Sequence, residues 1–233
     1  MIKRFAAFLF LMILVTVGSF AIDLSAGFGA NLAPYSSTLS ASGSYPGGTD
    51  SATLKLSYTP FGFQGYFDAT YAQLGLGYEV FKTGKMTVSG TGISTTSTDV
   101  NVDQTYVMFQ GLAKYPFKLG ESVAIFPLAG VMYALNLTVT DTTTGTDLKS
   151  SMSSQAQSDL NELWLMGGGG VDVAFGRFYL RPEALIGYKI PTQTDKDGVT
   201  AVKNSLTSSG YTNVKASITD LIFGITVSFG YIF

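Results

Sequence analysis

The sequence contains no cysteine and no histidine. Without cysteine there is no disulfide, thiolate metal site or thiol nucleophile, and without histidine the commonest general base and metal ligand are missing. Most enzyme constellations are thereby excluded, so the chain is expected to be non-enzymatic, with no cofactor and no metal site. Charge is scarce: 13% of residues are charged, against about 25% in ordinary soluble domains. No basic patch supports nucleic-acid binding. Beyond the first 21 residues no stretch approaches the ~18 consecutive apolar residues of a membrane-spanning helix.

What is present begins with Lys3 and Arg4, an apolar run from Phe5 to Val17, and then Gly18, Ser19, Phe20 and Ala21. This pattern predicts a secretory signal peptide over residues 1–21, cut after the small residue Ala21, with residues 22–233 as one exported domain. Cleavage removes Lys3 and Arg4 and leaves the remainder more acidic than the full chain, which has 14 basic and 16 acidic residues. Phenylalanine and tyrosine are abundant, at 17 and 13. An apolar, exported chain without a spanning helix points to a closed barrel of strands, the other structure that satisfies its backbone in lipid.

The apolar residues alternate with a period of two, the pattern of strands. In FGITVSFGYIF, Phe223, Ile225, Val227, Phe229, Tyr231 and Phe233 fall on one side, with Gly224, Thr226, Ser228 and Gly230 between them. Seven other segments read similarly: DLSAGFGANL, ATLKLSY, YFDATYAQLGLGYEVF, QTYVMFQGLAKYPF, VAIFPLAGVMYALNLTV, ELWLMGGGGVDVAF and FYLRPEALIGYKI. The third alternates in two registers, which a β-bulge near Ala72 and Gln73 would reconcile. Met108 and Leu112 blur the fourth. Short turns are expected near residues 59–65, 117–121 and 176–177. Long Ser/Thr/Gly-rich links are expected near 33–51, 82–102, 139–160 and 191–216, the last holding a short helix over 196–210. Short and long connections therefore alternate, as in up-and-down barrels whose long loops face outward.

The charges separate from the apolar stripe. Lys55, Asp68, Glu79, Lys114, Glu162, Asp172, Arg181, Glu183, Lys189 and Asp220 all alternate onto the polar face, where glycine is also frequent. A charge at mid-depth on a lipid-facing surface costs roughly 2 to 4 kcal/mol. The apolar face is therefore read as lipid-facing and the charges as lining a narrow lumen, paired in a network that plugs it. Trp164, the sole tryptophan, is placed in the lumen near the outer mouth. The glycine run MGGGGVD over 166–172 lacks the Lys-Ser/Thr of a phosphate loop and is read as packing.

With its signal peptide, its FGITVSFGYIF ending and hairpins such as KYPFKLGESVAIFPLAGVMY and FGRFYLRPEALIGYK, the chain resembles the small eight-stranded bacterial outer-membrane barrels of the OmpA, OmpX and OmpW kind, particularly the short barrel proteins of spirochaetes. The resemblance implies an all-β, eight-stranded antiparallel up-and-down transmembrane barrel in the bacterial outer membrane. It implies the membrane lipid and the barrel-assembly machinery as partners, with Phe229, Tyr231 and Phe233 as the assembly signal. Three functions stand open: a plugged barrel with an envelope or surface-contact role through its long outer loops, where a host or surface ligand would bind; a narrow channel for small or hydrophobic solutes, as in OmpW; and a membrane-embedded hydrolase.

Overall fold

A computed structural model of the chain describes residues 23–81 and 83–233. The signal peptide and its cleavage at Ala21 lie outside the described residues. The strands are β1 (Leu24–Leu32), β2 (Tyr35–Tyr45), β3 (Gly48–Tyr58), β4 (Phe61–Ala69), β5 (Ala72–Phe81), β6 (Gly84–Gly90), β7 (Ile93–Val100), β8 (Val102–Lys114), β9 (Phe117–Lys118), β10 (Val123–Asp141), β11 (Glu162–Phe175), β12 (Phe178–Lys189) and β13 (Thr212–Ile232). Helix α1 covers Ser154–Asp159 and α2 covers Gln193–Ser208. No helix among the described residues is long and apolar enough to cross a membrane.

The sheet order β1-β4-β5-β8-β10-β11-β12-β13, closed by pairing of β13 with β1, makes an antiparallel barrel of eight strands. The alternation decides which face points outward. Phe28, Leu76, Phe109, Leu165, Ile186, Val227 and Phe229 are exposed on the exterior. Along β1, β4, β5, β11, β12 and Leu221–Tyr231 no outward position carries a charge. An apolar exterior on a closed antiparallel barrel is the construction that crosses lipid with every backbone group paired.

Three expectations are corrected here. TPFGFQG is not a turn: Pro60 marks the junction of β3 with β4, and Phe61 to Ala69 is strand. The tight turn lies at Thr70–Tyr71, so the two registers are those of a hairpin of β4 and β5, with Ala69 opposite Ala72 and no β-bulge. The long links near 33–51 and 82–102 are also largely strand. Leu32 faces Phe61 and Tyr35 faces Tyr58, so the pairing of β1 with β4 continues unshifted into that of β2 with β3.

Proline explains why each continuous ribbon is divided. Lacking an N–H, it interrupts the ladder and serves only as acceptor. Pro34 accepts from Phe223 N–H at 2.8 Å and Pro60 from Ala33 N–H at 3.1 Å. Above this level β2, β3, β6 and β7 fan out from the upper part of β13 as an outer sheet with β7 at its edge. Helix α2 packs on β13 and β2, with Val199, Val202 and Leu206 half-buried along one side. Thr192 caps its N-terminus by accepting from Asp195 N–H, while the Asp195 carboxylate accepts from Thr192 N–H, a reciprocal capping box.

Candidate functional site: the lumen

Inward positions of the eight strands fill the lumen in three layers. Nearest the short turns, Asp68 comes from β4, Gln73 from β5, Lys114 from β8, Asp172 from β11, and Arg181 and Glu183 from β12. Arg181 is 1% exposed. Its guanidinium donates to Asp172 through Nε at 2.5 Å and Nη2 at 2.9 Å, to Asp68 through Nη2 at 2.5 Å, and to Gln73 through Nη1 at 3.1 Å. Lys114 Nζ reaches Asp68 at 2.5 Å and Asp172 at 3.5 Å. Glu183 stands at 3.9 Å from Arg181. Two cations thus bind Asp68 and Asp172, each of which bridges them, while Glu183 has Arg181 alone as its ion partner.

Aromatic rings enclose the guanidinium. Tyr66 and Tyr179 lie with ring centres 4.8 Å from it and Phe126 at 5.0 Å, a favourable arrangement for a cation over π faces. The tyrosine hydroxyls pair with serines of the closing strands, Tyr179 with Ser25 at 2.9 Å and Tyr66 with Ser228 at 3.4 Å. The rings reach this position because Gly27 and Gly230, opposite each other in β1 and β13, carry no side chain. A Cβ at Gly27 would meet Tyr66, and one at Gly230 would meet Tyr179. A vestibule of about 990 Å³ at the short-turn end leads to this cluster, with Asp68, Lys114, Asp172 and Arg181 in its wall.

The middle layer is mainly apolar, with one amide in it, Gln110, whose Nε2 donates to Met132 Sδ at 3.5 Å. Met108, Leu112, Leu128, Met132, Met166 and Leu185 point inward, each no more than 7% exposed. Met108 and Leu112, which blur the alternation of β8, belong to this layer. Beside it Gln64 Nε2 donates to Thr226 Oγ1 at 3.5 Å.

The outer layer is aromatic and charged. Tyr58 stacks between Tyr35 and Phe81, with ring centres 4.3 and 4.0 Å away, and Tyr35 meets Trp164 edge-on at 5.7 Å. Trp164 is 1% exposed and its indole N–H donates to Glu162 Oε2 at 3.1 Å. Glu79 accepts from Asn31. Lys189 pairs with Asp220 and, at 3.3 Å, with Asp195. The void within this layer is about 20 Å³.

Nine of the ten charges expected in the lumen therefore lie there, in two groups separated by the apolar layer rather than in one network. Lys55 is the exception. It sits in β3, opposite Thr38 and Thr87 in the outer sheet, and is exposed. Phe229, Tyr231 and Phe233 follow one another on the exterior, Phe233 with 70% exposure and its N–H donating to Leu24 O at 3.0 Å. The interlock of Tyr66 and Tyr179 with Gly27 and Gly230 was not anticipated, although glycine facing glycine across the closing strands is the signal that would have pointed to it.

No known protein family matches the chain, and no curated protein does. Solved structures with a similar course include Neisserial surface protein A, with TM-score 0.41 and 12% identity, covering 87% of this chain and 97% of that one. The outer membrane protein OprG from Pseudomonas aeruginosa aligns with TM-score 0.40 and 14% identity, covering 93% and 98%. Ail, the attachment invasion locus protein of Yersinia pestis, aligns with TM-score 0.34 and 12% identity, covering 88% and 99%. The chain's own closed ladder and apolar exterior define it as an eight-stranded barrel of the bacterial outer-membrane type.

Proposed function

We propose that this protein is a closed outer-membrane barrel with an envelope or surface-contact role, its lumen plugged by its own side chains and its outer hairpins and α2 offered for contact. One observation carries the reading. The inward layer of Met108, Leu112, Leu128, Met132, Met166 and Leu185 separates the two charged groups, and its members are buried. An ion crossing it would leave both charged groups and meet the amides of Gln64 and Gln110 and the Thr226 hydroxyl, too few ligands to replace its hydration shell. The outer sheet adds polar, solvated surface on a rigid support, where contact residues are commonly carried. The surrounding lipid, the assembly machinery and a surface ligand are the partners in this reading, and the role is non-enzymatic.

The test is electrical. Purified protein in planar bilayers is expected to show no discrete conductance. Stable openings that disappear in Arg181→Ala would replace this reading with that of a narrow channel. A screen with lipid and peptide substrates is expected to return no hydrolysis, and turnover would instead favour a membrane-embedded hydrolase.

A further inference from the structure

A chamber of about 360 Å³ opens at the outer end of the barrel, above the apolar layer. Leu56, Phe81 and Val102 form one wall, from the junctions of the hairpins with the barrel. Met152 and Leu160, flanking α1, form the other. The volume lies within the ~300 to 1,000 Å³ of small-molecule sites, which are also mostly apolar with a few polar groups.

The charged groups that line it are unequal in number and in satisfaction. Asp159, Glu162 and Asp195 face a single cation, Lys189. Asp159 accepts from Thr194 N–H at 2.8 Å, from the Thr194 hydroxyl at 2.5 Å and from Gln155 at 2.8 Å. Asp195 is held by the α2 capping box and by Lys189, which also binds Asp220. Glu162 differs. It accepts the Trp164 N–H and makes no ion pair within 4.0 Å among the described residues, while Lys189, whose charge also acts on it, is bound to Asp195 and Asp220. A carboxylate that shares its one cation with two others, beside an apolar wall, is complementary to a ligand bringing both a positive charge and a hydrocarbon body.

We propose that this chamber binds a small organic amine, its ammonium donating to Glu162 and its apolar body lying against Phe81, Val102 and Leu160. The site sits above the plug, so it is independent of whether the barrel conducts.

Trp164 makes the proposal measurable, because it is the only tryptophan and its indole N–H is bound to Glu162. Protein in lipid nanodiscs at pH 8 is titrated with cyclohexylmethylamine and, separately, with cyclohexylmethanol while tryptophan emission is recorded. The amine is expected to give a saturable change and the alcohol to bind at least tenfold more weakly. Glu162→Gln keeps an acceptor for the indole but removes the charge, and is expected to weaken the amine at least tenfold. Val102→Phe narrows the apolar wall and is expected to weaken it as well, with Glu162 intact; it guards against a folding defect in the first variant. No saturable response, equal affinity for amine and alcohol, or wild-type affinity in both variants would overturn the proposal.

Discussion

Arg181 and Asp68, 113 positions apart in the chain, meet inside the barrel with Nη2 2.5 Å from Oδ2. The contact joins β12 to β4, strands that are not neighbours in the sheet. It is therefore a brace across the lumen rather than part of the ladder.

Removing the cation should be costly. Arg181→Ala leaves Asp68 and Asp172 facing each other with only Lys114 between them, and breaking a buried pair from one side costs about 3 to 5 kcal/mol. The urea midpoint of the folded barrel should fall accordingly. Arg181→Lys should recover only part of the loss, since an ammonium cannot hold two carboxylates and Gln73 with the fork of a guanidinium.

The apolar layer gives a second expectation. Met108→Ala and Met132→Ala each remove a buried side chain and should cost about 2 to 5 kcal/mol. Combined, they thin the seal between the two charged layers. Bilayer recordings of the double variant should show openings that the parent lacks.

A third concerns insertion. Phe229, Tyr231 and Phe233 form an outward aromatic row, and aromatics at such positions favour the membrane boundary. Phe233→Asp should lower the fraction assembled in the membrane, measured as the heat-modifiable form on gels, while the exported amount stays constant.

The outer loops should respond to acid through Asp159. Its hydrogen bonds from the Thr194 side chain, followed by that from the Thr194 backbone, hold its carboxyl below the ordinary carboxylate value. A lowered folded value means that the contribution is complete above the unfolded value of about 3.9 and is lost as pH falls through the folded one. Hydrogen exchange in residues 191–211 should accordingly rise below about pH 4 in the wild type. In Asp159→Asn it should be raised already at neutral pH and change less with acid.

What could be read in the sequence follows from where the two faces of a strand meet different surroundings. Between lipid and lumen, as in Phe178 to Lys189, every residue alternates and the orientation was legible. In the outer sheet both faces meet water or other polar groups. ISTTSTDV over Ile93–Val100 is exposed along nearly its whole length, so it has no alternation to betray a strand. Lys55 was misplaced for the same reason: Leu54 and Leu56 alternate with it, but the strand lies above the lumen. The turn at Thr70–Tyr71 has neither glycine nor proline, whereas Pro60 and Gly62 imitate one within a continuous ribbon. The pairing of Arg181 with Asp68 follows from barrel closure and had no local signal.

The 21 residues of β13 hold β1 and β12 below and β2 above. One ribbon thus completes the barrel wall and also anchors the outer sheet. Ser25 pairs with Asp68 on one side and, across the seam, with Ile232 on the other, so the ring shuts only when the first and last described strands meet. Contacts so distant in sequence make slow folding steps. Until that closure an open edge of β1 must be protected from pairing with other chains, which makes closure of this seam the step that divides assembly from aggregation.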